Sequence, residues 1–234
     1  MSPPRTPLLR PDSYFDDRTA TLGRGLAVTA LVTLATVTVV IGFGLVFAAN
    51  IDGTVETSNP EYPGDVFCDG DTPSGCTEPA TVEQDVDRVL WDAIGSVAGQ
   101  TAIGIPIIVL VTAGGLHGGS ALAGGEGGFG RSLAVAVWGL APAVLAGALT
   151  VAALAVTFDP LTVSPEQSPE TLRQPALAQV RDVELVGTML GALATLWGAV
   201  IWRFGLLHQR GVSGDAATAV AGVVALLFVL SSMT

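Results

Sequence analysis

The chain has 234 residues, of which half are hydrophobic and only 13% charged, about half the charged fraction that coats a soluble domain (roughly 25%). Its formal net charge is -11, with ten Arg and no Lys, which argues against nucleic acid because phosphate binding needs a basic face. The acidic excess argues equally against a polybasic anchor for anionic lipid, and two distant His with no Cys-x-x-Cys pair leave no zinc pattern.

Residues 1–24 are polar and Pro-rich, with four Arg and three Asp. They lack the short apolar core and cleavage site of a signal peptide. Leu8, Leu9, Tyr14 and Phe15 stand among charges, the pattern of a short interfacial helix on a cytoplasmic tail. The first apolar run, 25–49, holds no charge. As a helix it extends about 36 Å, enough for a hydrocarbon core of about 30 Å.

Residues 50–92 form a long acidic segment with eleven Asp or Glu, one Arg and four Pro. Within it the spacing of Val86, Val89, Leu90, Ala93 and Ile94 predicts a helix over Glu83–Val97. Further apolar runs follow at 94–116, 132–158, 184–207 and 215–233. The spans beginning at 94 and 132 contain Pro106 and Pro142, which membrane helices tolerate. The expected fold class is all-α: a polytopic transmembrane bundle of five spans.

Orientation follows from Arg placement. With the N-terminus in and the C-terminus out, seven Arg face inside and three outside, while sixteen of the acids lie outside. Cys68 and Cys76 then share the outer acidic loop 50–92, a compartment where a disulfide persists. Abundant acid without Lys, lying in water-exposed loops, suits a high-salt habitat, although a GC-rich genome would also favour Arg over Lys.

Two motifs suggest chemistry and lack its context. Gly125-Glu-Gly-Gly-Phe-Gly130 satisfies G-x-G-x-x-G, and Arg131 stands where a phosphate-binding loop has Lys. Both motifs need a preceding strand; here the glycines join two spans, although backbone donors at a helix start can hold an anion. Gly211-Val-Ser-Gly214 matches the nucleophile motif of rhomboid proteases, but only His208 is near Ser213 and no later span carries a His base. A helix-capping turn ahead of Asp215 is the simpler expectation. No catalytic, cofactor or metal residue is assigned, so the chain is read as not an enzyme.

The apolar cores of the spans contain no ionisable residue, whereas transporters usually place such groups at membrane depth. Gly95-Ser-Val-Ala-Gly99 and Gly187-Thr-Met-Leu-Gly191 are small-xxx-small pairs expected to pack helices inside the bundle, or to form a homo-oligomer. Trp91, Trp197 and Trp202 are candidate interface anchors.

Pro11, Tyr14 and Phe15 before the first span, then Gly125, Gly127, Gly128 and Phe129 between the second and third, form a recognisable series. It continues through Arg131-Ser-Leu-Ala-Val135 to Trp138-Gly-Leu-Ala-Pro142. With five spans and an inside N-terminus, the chain resembles the Yip (Ypt/Rab-interacting protein) family, in a prokaryotic, haloarchaeal-like form. The resemblance implies a non-catalytic membrane scaffold; eukaryotic relatives look like scaffolds that bind small GTPases and shape vesicle membranes. The long acidic loop with its cysteines departs from the family pattern, and no residue maps to a GTPase-binding motif. The expectation is therefore a scaffold or interaction protein of the cell membrane, with the lipid bilayer and membrane or cytoplasmic proteins as partners. A small permease or channel subunit is the alternative, motivated by the Pro- and Gly-interrupted spans. An intramembrane enzyme using Ser213 and His208 ranks third.

Overall fold

The computed structural model describes residues 5–64, 68, 76–164 and 169–231, with side chains from 169–180 and 182 excepted. In chain order the elements are α1 (Pro11–Asp17), α2 (Leu22–Ala48), β1 (Ile51–Ser58), β2 (Thr81–Asp85) and α3 (Val86–Leu122). They continue with α4 (Phe129–Thr157), β3 (Leu161–Val163), α5 (Pro169–Arg210) and α6 (Gly214–Ser231). Five helices are long and apolar enough to cross a membrane: α2, α3, α4, residues Val183–Arg210 of α5, and α6. The bundle has one end carrying α1 and the other carrying the strands. Part of the cysteine loop, at 65–67 and 69–75, and the last residues of the fifth apolar run, at 232–233, lie outside the described residues.

α4 occupies the centre, packed on α2, α3 and α5, while α6 lies on α5 and α3. Large apolar side chains point outward along the spans, with Leu31 63%, Ile103 68% and Val111 71% exposed. A bilayer accepts this arrangement because lipid tails are as apolar as Leu. The helices also run further than the apolar stretches. α3 reaches eight residues before Ile94 and six beyond Leu116, and both α3 and α4 continue through Pro106 and Pro142.

The interior is concentrated toward the α1 end, where Phe15, Leu116, Leu133, Ile201, Trp202 and Leu206 are all no more than 2% exposed. Packing between α4 and α5 depends on missing side chains. The indole of Trp202 fills the space where a Cβ on Gly139 would sit, and the carbonyl of Gly139 fills that of Gly198. About two turns beyond Gly198, a Cβ on Gly205 would lie 2.5 Å from Val135. Trp202 is 1% exposed and donates its indole N–H to the Ala136 carbonyl at 3.0 Å. It is therefore a core residue and not an interface anchor. Trp91 is 40% exposed.

The small-residue pairs read from the sequence sit differently from that expectation. Of Gly95, Gly99, Gly187 and Gly191, only Gly187 has a neighbour where a Cβ would be, Thr150 at 3.3 Å. Gly95, Gly99 and Gly191 face open space. The tight seam falls instead on Gly198 and Gly205, seven positions apart on one face of α5.

The acidic segment 50–92 is not only loop. β1 pairs antiparallel with β2, Thr54 opposite Asp85 and Ser58 opposite Thr81, and parallel with β3, Ile51 opposite Leu161. Glu83, Gln84 and Asp85 belong to β2, which corrects the helix predicted to start at Glu83: pairing with β1 supplies their backbone hydrogen bonds, and the helix begins at Val86. Gly53 has φ +128°, and its Cα abuts the Val163 carbonyl, so only glycine fits where β1 meets β3. Cys68 and Cys76 are joined as a disulfide, with Cα atoms 5.5 Å apart.

Candidate functional site

The polar side chains that the fold brings together converge on the α1 end, around the last turn of α5. The N-terminal segment forms one side of this site. Pro11 opens α1, where its missing N–H costs no hydrogen bond, and Pro11, Tyr14 and Phe15 are buried. Tyr14 stands edge-on to Phe15 at 5.1 Å and to Trp138 at 5.8 Å between ring centres, with the Arg18 guanidinium 5.4 Å from its ring centre. A short helix forms here, but only Tyr14 and Phe15 of the four apolar residues belong to it, Leu8 and Leu9 lying in the turn before it, and its apolar face packs on α4 and α5 side chains. Leu9 alone projects outward, 88% exposed.

A helix of seven residues cannot satisfy the backbone groups at its ends. Here α5 supplies the partners. The Gln209 amide donates to the Phe15 carbonyl at 2.5 Å and the Arg18 carbonyl at 2.9 Å, and its oxygen accepts from the Ala20 N–H at 2.6 Å. Trp197 donates to the Leu8 carbonyl at 2.8 Å. His208 lies between two carboxylates one turn apart on α1, 2.7 Å from Asp12 and 3.5 Å from Asp16.

The glycine-rich turn between α3 and α4 forms the other side. Gly124 and Gly127 adopt φ +80° and +94°, values that favour glycine. A Cβ on Gly125 would lie 2.7 Å from the Ser120 carbonyl oxygen, and one on Gly130 would lie 2.8 Å from Leu22. Gly128 is the N-cap of α4, and Phe129 stacks edge-on against His117 at 5.7 Å. Arg210, 2% exposed, donates through Nε to Ser120 Oγ at 2.9 Å and through a terminal nitrogen to the Gly127 carbonyl. The Arg210 carbonyl accepts from the Glu126 N–H at 2.8 Å, and Arg131 donates to the Gln209 carbonyl at 3.2 Å. Three consecutive residues, His208, Gln209 and Arg210, thus tie both the N-terminal segment and the turn to α5.

The other sequence motifs resolve by the same geometry. The segment before the glycines is helix α3, not the strand that a dinucleotide or phosphate-binding loop requires. Ser213 Oγ accepts from the Ala216 N–H at 3.3 Å and caps α6, while both ring nitrogens of His208 face α1. Among the described residues, no three His, Cys, Asp or Glu are grouped to hold a metal ion. Gln209 and Arg210 were not singled out by sequence reasoning. The available signal was a row of hydrogen-bonding residues at the end of an apolar helix.

Lateral grooves open between the spans, among them one of about 190 Å³ between α2, α4 and α5 beside Phe43, Thr150 and Glu184. Another, of about 370 Å³, lies between α3 and α6 and is lined by Ile107, Val111, Leu227 and Phe228. A third, of about 500 Å³, lies between α2 and α3 beside Leu34, Val37 and Pro106.

No curated protein and no solved structure matches the chain. The family model of the Yip1 domain matches residues 7–234, which takes in the N-terminal segment, the glycine turn and all five membrane helices. The motif positions Pro11, Tyr14, Phe15, Gly125, Gly127, Gly128, Phe129 and Pro142 all fall within that match. The chain therefore belongs to the Yip1 domain family of multi-pass membrane proteins.

Proposed function

We propose that the protein is a non-catalytic scaffold of the cell membrane, with the α1 end in the cytoplasm and the docked N-terminal segment as its partner-binding face. The bonding of Gln209 to Phe15, Arg18 and Ala20 carries this reading. It converts a short polar tail into a fixed surface, and a pre-ordered surface binds a partner at lower entropic cost. Leu9 and Arg10 both stand exposed on that surface, and Arg is enriched at protein contacts. Seven Arg at the α1 end against three at the strand end support the inside orientation. The apolar linings of the two larger grooves, between α3 and α6 and between α2 and α3, favour a scaffold over a permease.

A photo-crosslinking residue placed at Leu9, and in a parallel variant at Glu61 near the strand end, tests the reading in native membranes. The expected result is a reproducible adduct with one defined protein from position 9 and none from position 61. Absence of an adduct from position 9, together with solute flux through liposomes holding the purified protein, would replace the scaffold with a small permease.

A further inference from the structure

Arg131 and Arg210 both reach Gly127. Arg210 donates to the Gly127 carbonyl, and Arg131 Nη1 lies 3.0 Å from where a Gly127 Cβ would be. The two cations are close enough to act on each other's charge. Among the described residues, no carboxylate oxygen lies within ion-pair distance of either: the ion pairs join His208 to Asp12 and Asp16. Glu126, in the same turn, is exposed and forms no pair with them. All the hydrogen bonds from the two guanidinium groups go to neutral oxygens, of Ser120, Gly127 and Gln209. A buried cation without a counter-charge is costly, and a second cation beside it adds repulsion.

Two further features point the same way. The N-terminus of α4 rises from this turn with no side-chain cap and no acid in its first turn, leaving its positive end uncompensated. Gly128, at that N-cap, has an ordinary backbone, φ -81° and ψ 165°, and no atom within 4 Å of a would-be Cβ. Neither conformation nor internal packing requires glycine there. The omitted side chain leaves the helix end open to close approach.

We propose that Arg131, Arg210 and the Gly128–Gly130 start of α4 form an oxyanion site that takes a phosphate group. The chemistry is that of a guanidinium pair with backbone N–H donors. It needs no nucleotide-binding fold. The site lies where α3 and α5 end and α4 begins, at one end of three membrane helices, so the phosphate can come from a lipid headgroup or from solution.

The test uses the full-length protein in nonionic detergent, with two probes. Inorganic phosphate is titrated while thermal stability is followed. In parallel, phosphatidic acid is compared with diacylglycerol by native mass spectrometry. Wild type is expected to bind a phosphate-bearing probe. Arg131→Gln and Gly128→Ala are each expected to weaken that binding by about tenfold or more. Arg24→Gln, an exposed cation at the same end, should stay within about twofold, as expected for a cation outside the proposed site. Saturation by inorganic phosphate alone assigns a soluble oxyanion, and binding of phosphatidic acid alone assigns a lipid headgroup. The proposal is overturned if neither probe binds, if Arg131→Gln and Gly128→Ala bind as wild type does, or if Arg24→Gln loses as much. Arg210→Gln removes two bonds that hold the turn and Arg131→Gln removes one, so a loss of binding counts only where the ligand-free melting temperature matches wild type, and Gly128→Ala, which removes none, decides.

Discussion

Gln209 and Phe15 stand 194 positions apart and are joined by a 2.5 Å hydrogen bond from the Gln209 side-chain amide to the Phe15 carbonyl. With the bonds to Arg18 and Ala20, one side chain satisfies three backbone groups of the N-terminal segment. Gln209→Ala should release that segment at a cost of about 2–4 kcal/mol, since each net bond is worth about 1 kcal/mol and stranded buried groups add to it. The chain contains no Lys, so trypsin reports on Arg alone. Cleavage after Arg18 should accelerate by roughly tenfold or more while the membrane helices stay intact. An unchanged cleavage rate would mean that the packing of Tyr14 and Phe15 suffices to hold α1.

The seam between α4 and α5 makes a sharper demand. A methyl on Gly139 collides with the Trp202 indole, and one on Gly198 with the Gly139 carbonyl. Gly139→Ala should therefore destabilise the bundle by about 1–3 kcal/mol or more, read as a lower melting temperature in detergent. Gly99→Ala, which meets no atom within 4 Å, should leave that temperature unchanged or raise it slightly. Should Gly99→Ala instead reduce self-association on a sizing column, α3 has a small-residue interface between copies.

The Cys68–Cys76 disulfide closes a short loop between β1 and β2. A loop of this length implies about 2–3 kcal/mol of local stabilisation, confined to the strand end. Thiol titration of unfolded, unreduced protein should find no free Cys, and reduction should release two. Cys68→Ser should raise amide exchange in the paired strands and leave α4 and α5 protected. Loss of protection throughout the bundle would show that the strands stabilise the helices as well.

The proposed orientation has a direct readout. In a background carrying Cys68→Ser and Cys76→Ser, an impermeant maleimide applied to intact cells should label Glu61→Cys and spare Leu9→Cys until the membrane is opened. The opposite pattern would place the α1 end outside and remove the cytoplasmic partner surface.

The membrane class and the number of spans were legible in the sequence because hydropathy is a local property. An uncharged run of sufficient length has one stable solution in lipid, a helix that satisfies its own backbone. The short helix around Tyr14 and Phe15 was also legible, from apolar residues set among charges.

What only the tertiary structure decided depends on partners distant in the chain. Glu83–Asp85 become strand because β1 reaches them, and Trp202 becomes core because Gly139 makes room for its ring. Gly95 and Gly99 share the spacing of a packing motif yet face open space, since spacing on one helix does not say where another helix lies. The end of the Val183–Arg210 span reads as the edge of an apolar run. Its role in holding the N-terminal segment and the glycine turn comes from hydrogen bonds to residues up to 196 positions away, a relation that no local pattern of residues encodes.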